Sequence, residues 1–300
     1  MNVLDVEHVT KKVGSRTLID QLSFSVQKGQ ICGFLGPNGA GKTTLIRLLT
    51  GLIRPTSGDL KIKGTSVIQN RTQALQHVGA IVESPIFFPY LTGRKALFNL
   101  ARLHPQLKRH QRQRKVREVL EKVGLTDAAE QKVRTYSLGM KQRLGIAQAL
   151  LGDPEIIILD EPANGLDPMG MRELRNLILQ LRKDVGCSFL ISSHLLDELQ
   201  QLCDHLVVIK EGKHIWQGDI DEIFGETQYV YTLSPLSKAK TIIQREYSVQ
   251  TLAQNQLQVE IPDEEVSRLN QILIQNDIQV IRVEKQQKRL EDVFVEMVTS

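Results

Sequence analysis

Three cysteines, Cys32, Cys187 and Cys203, are all the thiols that the 300 residues contain. They are odd in number, far apart and without paired metal-ligand spacing. That argues against a disulfide framework and against a zinc module. Reduced, mostly buried thiols in a cytosolic protein are the expectation. No stretch approaches the ~18 apolar residues that a bilayer-spanning helix needs. The N-terminal MNVLDVEHVTKK has no apolar core of the signal-peptide kind. Any membrane role is therefore expected to come through a partner. Charge of either sign is scarcely in excess: 38 Lys and Arg against 34 Asp and Glu leave a net +4, which argues for neither nucleic acid nor anionic lipid. The densest basic stretch, Arg102 to Arg117, has no aromatic residues among its charges. It reads as a solvated helix face rather than a nucleic-acid patch.

What is present is the balance of an ordinary globular protein, 41% apolar and 24% charged. The length suits one large domain and a smaller one. Val3 to Val9 and Leu22 to Val26 alternate as strands do, and Ile31 to Leu35 is nearly continuous and apolar. Further strands are expected at Asp59 to Lys63 and Val78 to Val82. From about Ser84 to Leu150 the period becomes helical. Val116, Val119, Leu120 and Val123 share one helix face, and Gly124 ends that helix. Strand and helix then alternate again, with Glu155 to Asp160 a buried strand of the parallel type. Glu211-Gly212 is a hairpin turn, and a helix carries Leu195, Leu199 and Leu202. The pattern shifts near residue 225. Strands at Tyr229 to Leu233, within Val249 to Ile261 and at Gln279 to Val283 flank a helix through Val266, Leu269 and Leu273. Leu290, Val293, Phe294 and Met297 mark a last short helix. The expected fold is therefore α/β: a main domain over residues 1–225 with a helical insert at 84–150, then a small α+β appendage over 226–300.

The strongest chemical signal is GPNGAGKTT, comprising Gly36, Pro37, Asn38, Gly39, Ala40, Gly41, Lys42, Thr43 and Thr44. It follows an apolar strand and opens a helix, the context that a phosphate-binding loop requires. Glycines let the backbone curl so that successive N–H groups face one anion, and the helix N-terminus adds partial positive charge. Lys42 can reach β- and γ-phosphates, and the Thr43 hydroxyl suits Mg²⁺. Downstream, IIILDE sets Asp160 and Glu161 at the C-terminal end of a strand, the edge where α/β sheets hold ligands. Asp160 can hold Mg²⁺ through its water shell, and Glu161 can act on the attacking water.

GPNGAGKTT, YSLGMKQR, IIILDEPANGLD and ISSH occur in the order seen in ATP-binding-cassette (ABC) subunits, and the chain resembles that family over about residues 1–222. The resemblance implies an ABC-type P-loop ATPase core with an antiparallel β subdomain, binding ATP and Mg²⁺. It implies that Ser137 and Gly139, in a signature usually written LSGGQ, meet a γ-phosphate bound to an opposing copy. Asn164 to Asp167 resembles the loop that crosses between copies, and His194 resembles the histidine that contacts the γ-phosphate and orients water. Two positions depart from the family pattern. Glu83 stands where a lid-loop glutamine is usual and could still ligate Mg²⁺ or orient water. Val13 stands where an aromatic usually stacks on adenine; it can cover a base without offering a π surface. VESPIFFPYLTGRKAL and the ending LEDVFVEM narrow the resemblance to the bacitracin-resistance and lantibiotic-immunity exporters.

The implied partners are a second copy and an integral-membrane permease, with no nucleic acid. The chain would then sit in the cytoplasm on the inner face of the membrane, and the apolar cluster from Ile86 to Leu91 could be the permease contact. Two alternatives are a soluble cassette protein acting on ribosomes or nucleic acid, and a regulatory module without turnover. A single cassette without coiled coil or zinc module disfavours the first. Glu161 and His194 disfavour the second.

Overall fold

The computed structural model describes residues 1–104, 106–194, 196–224, 228–253 and 255–286, with Leu290, Val293, Phe294 and Met297. The chain divides into two compact units, Met1–Ile220 and Asp221–Ser300, against the sequence expectation of a boundary at 225.

In the first unit a long ribbon comes first, β1 (Asn2–Val13) paired antiparallel with β2 (Arg16–Gln27). Both exceed the lengths that alternation suggests. Register shifts, for example between Val6 and Val9, displace the inward-facing set and blur the period of two. Next come β3 (Ile31–Leu35), α1 (Lys42–Leu49), β4 (Ser57–Ile62), β5 (Thr65–Ser66), α2 (Arg71–Leu75) and β6 (Val78–Ile81). The insert holds α3 (Gly93–Ala101), α4 (Arg109–Lys122) and α5 (Leu138–Ala149). The Thr92 side chain caps α3 by accepting from the Lys95 N–H. Most of the basic stretch on α4 is exposed as expected, but Lys115 is buried and paired with Asp153 and Glu118. Then follow β7 (Ile156–Asp160), α6 (Pro168–Val185), β8 (Ser188–Ser193), α7 (Leu196–Gln200), β9 (His205–Lys210) and β10 (Lys213–Asp219). Leu195, expected on α7, lies outside the described residues.

Two sheets result. One is antiparallel, in the order β2-β1-β4-β5. The other runs β10-β9-β3-β8-β7-β6, parallel except for β10 at its edge. One core joins them: Leu4, Leu22, Phe24 and Leu60 of the first sheet and Ile158, Leu190 and Val207 of the second meet Leu45, Ile46, Leu48 and Leu49 of α1. The helix after the phosphate loop is thus held between two sheets. Every residue of β3, β7 and β8 is buried, as strands covered on both faces are.

The second unit contains β11 (Gln228–Ser234), α8 (Leu236–Ile243), β12 (Val249–Ala253), β13 (Gln256–Glu260), α9 (Val266–Gln275) and β14 (Gln279–Gln286). Its antiparallel sheet has the order β12-β13-β11-β14, the βαββαβ arrangement of ferredoxin-like folds. It has its own core, in which Tyr231, Leu233, Leu257 and Val259 pack with Ala239, Ile243, Leu269 and Leu273. Leu290, Val293, Phe294 and Met297 are helical.

Candidate functional site

Gly36 to Gly41 links β3 to α1, and its shape depends on missing side chains. A Cβ on Gly36 would lie 2.7 Å from the Ile209 carbonyl oxygen. Gly41 caps α1 at φ 108°, and a Cβ there would meet Ile19 Cδ1 at 2.7 Å and the Leu18 carbonyl at 2.8 Å. Only glycine combines that backbone with that proximity. Lys42 is the first helical residue. Its side chain folds back so that Nζ donates to the Gly36 carbonyl at 2.7 Å, and it is buried. The loop opens on a cleft of about 610 Å³ walled by Arg16, Leu18, Asn38, Gly39, Gly41, Lys42, Thr43, Thr44, Glu161, Asn164 and His194.

Asp160 and Ser192 are register partners on the parallel strands β7 and β8. That adjacency lets the Ser192 hydroxyl donate to Asp160 Oδ1 at 2.6 Å. The Ser192 hydroxyl oxygen in turn accepts the Glu161 backbone N–H at 3.0 Å. Glu161 leaves the strand at φ 48°, left-handed for a residue with a Cβ, at a cost of about 1 kcal/mol. The turn aims its carboxylate into the cleft between two cations or donors: Lys42 Nζ lies 3.4 Å from Oε1 and His194 Nδ1 lies 2.5 Å from Oε2. A carboxylate only accepts, so Nδ1 is the nitrogen that carries hydrogen.

The donors fit the groups expected. The loop offers backbone N–H groups and Lys42 to an anion. Thr43 and Asp160 are hard oxygen ligands, and no cluster of three or more His, Cys, Asp or Glu exists among the described residues. Oxygens of this kind suit Mg²⁺, which takes few protein ligands beside phosphate and water. Cys32, on β3, takes no part: burial pushes its thiol up to about 12.

Comparison with known proteins decides the family. The chain belongs to the ABC transporter ATP-binding proteins. The sequence profile of the family described as ABC transporter matches residues 19–164. The uncharacterized ABC transporter ATP-binding protein YhcH of Bacillus subtilis is 42% identical, covering 98% of this chain and 95% of its own. The bacitracin transport ATP-binding protein BcrA of Bacillus licheniformis is 40% identical, covering 99% and 97%. Among solved structures, MJ1267, an ATP-binding cassette of an ABC transporter, superposes with a TM-score of 0.68 at 27% identity, covering 74% of this chain and 95% of that one. As an ABC ATPase, the chain binds and hydrolyses ATP.

Not every residue singled out from the sequence reaches the cleft wall. Lys42, Glu161 and His194 converge there with Asn38, Gly39, Gly41, Thr43 and Thr44. Gly36, Pro37 and Ala40 shape the loop behind, and Asp160 stands at the end of β7. Val13 is absent from the wall and 58% exposed. Glu83 is absent too. It sits at φ 65° with its carboxylate 2.6 Å from Arg47 Nη2 at the last turn of α1. Ser137 and Gly139 line a second cavity of about 400 Å³ with Gly165, Leu166 and Asp167, which shares no wall residue with the first. There Ser137 caps α5 by accepting from the Met140 N–H, and Asp167 caps α6 by accepting from Gly170. Sequence reading missed Arg16, Leu18 and Ser192. Ser192 stands inside ISSH, two residues before His194. Arg16 had only its place beside the expected base-covering Val13.

Proposed function

We propose that the chain is one of two identical motors beneath a separately encoded membrane permease, and that it powers export of a peptide antibiotic or a similar amphipathic substrate. The observation that carries the mechanism is the line Lys42–Glu161–His194 at the mouth of the phosphate loop. Backbone N–H groups from Gly36 to Thr44 hold the phosphates, and Lys42 turns from Glu161 to the β- and γ-oxygens. Thr43 and Asp160 hold Mg²⁺, which when bound neutralises charge on the phosphate oxygens. Glu161 orients the attacking water and accepts its proton. His194, anchored through Nδ1, presents its other face to the γ-phosphate. Glu83 joins them only by leaving Arg47.

Ser137 and Gly139 act on the γ-phosphate of the opposing copy. Their separation from the chain's own cleft supports this assignment, and a C₂ pair completes both sites. Exposure of Ile86 (92%), Phe88 and Tyr90 supports a permease contact at that loop, which puts the motor on the cytoplasmic face. Full-length similarity to the bacitracin transport ATP-binding proteins of Bacillus licheniformis and Enterococcus faecalis supports the cargo class.

The test is Glu161→Gln. The variant keeps ATP binding in an equilibrium titration, loses steady-state phosphate release by about 10²-fold or more, and elutes as a dimer with ATP and Mg²⁺. Turnover at the wild-type rate refutes the role given to Glu161.

A further inference from the structure

We propose that Arg16 supplies the platform on which the nucleotide base lies, an assignment that rests on the cleft being the ATP site. Val13 and Arg16 are cross-strand partners at the two-residue turn that joins β1 to β2. Partners in such a pair share a face of the ribbon. Of the two, Arg16 is the one that lines the cleft, and Val13 is not.

The rest of the wall has other duties. Asn38 to Thr44 face the phosphates. Glu161, Asn164 and His194 form the hydrolytic end, where the His194 ring is bound to Glu161. That leaves Arg16 and Leu18 for the nucleoside. Among the described residues the Arg16 side chain has no hydrogen bond or ion pair, so it is not committed to a structural partner. Its position is fixed by its strand: the Leu18 carbonyl lies 2.8 Å from where a Gly41 Cβ would stand, so the start of β2 packs directly on the loop.

A guanidinium is planar, delocalised and weakly hydrated, and it stacks on aromatic faces as an ammonium cannot. Leu18 adds an apolar edge beside it. The stack reads the face of a base rather than its hydrogen-bonding edge, and every purine offers such a face. Arg16 therefore takes over what an aromatic at position 13 would do, with little discrimination between adenine and guanine.

The experiment is calorimetric titration of the full-length protein, with Mg²⁺, by ATP, GTP and inorganic tripolyphosphate, for wild type, Arg16→Ala and Arg16→Lys. Wild type binds ATP more tightly than tripolyphosphate, and GTP within about tenfold of ATP. Both variants weaken ATP roughly tenfold, within the range for a stacked cation, and leave tripolyphosphate within about twofold. Four results overturn the platform: equal loss of ATP and tripolyphosphate in Arg16→Ala, unchanged ATP affinity in either variant, wild-type tripolyphosphate affinity matching ATP, or a hundredfold preference for ATP over GTP. Wild type binding neither ATP nor tripolyphosphate instead sinks the assignment of the cleft itself.

Discussion

The hydroxyl of Ser192 serves two neighbours at once. It donates to the Asp160 carboxylate and accepts the Glu161 N–H. Ser192 is fully buried and Asp160 nearly so. Removing one partner from a buried pair leaves the other short by about 1–3 kcal/mol. Ser192→Ala is therefore expected to lower stability by that amount, seen as a lower urea midpoint. It also frees Glu161 to wander from the line between Lys42 and His194. Phosphate release should fall further than ATP affinity does, which parallel turnover and binding measurements will separate.

At the scale of elements, the parallel sheet and its loops bury all three thiols. Burial pushes Cys32 to about 12 and Cys187 to about 11 from an ordinary 9.0, and Cys203 well above it. The folded state then keeps these protons where the unfolded chain has lost them. Stability is full below pH 9.0 and declines as pH rises toward 11 to 12. Thiol-specific reagents at pH 8 should label the native protein slowly and the denatured protein at all three positions. The same burial made β3 and β7 legible as nearly continuous apolar runs. The bulged ribbon was read short, and α8 was missed, because only Ala239 and Ile243 of its eight residues are buried. The phosphate loop was legible because its glycines and lysine are adjacent in sequence. Ser192 and Arg16 were not. Their importance comes from a strand neighbour and a hairpin partner, which no local spacing reveals.

At the scale of the molecule, the chain carries two cavities, one walled by the phosphate loop and one by Ser137 and Gly139, which the proposed pair would use as unlike half-sites. Lys42→Ala is expected to cripple the first and Gly139→Asp the second. Each variant alone should lack turnover. Mixed in equal amounts, half of the pairs combine one of each, and each such pair holds one intact site, so up to about a quarter of wild-type phosphate release returns. If both halves of a site came from one chain, mixing would restore nothing.

The stretch from Asn164 to Asp167 begins in the wall of one cavity and ends in the wall of the other. Four residues reach at most about 14 Å, so a nudge at either end has little slack to absorb it. Each copy would thereby report the state of its own fuel to the neighbour that shares it. In the proposed pair the two strokes would then be paced together rather than fired at random, and a shortfall below that quarter would measure how tightly they keep time.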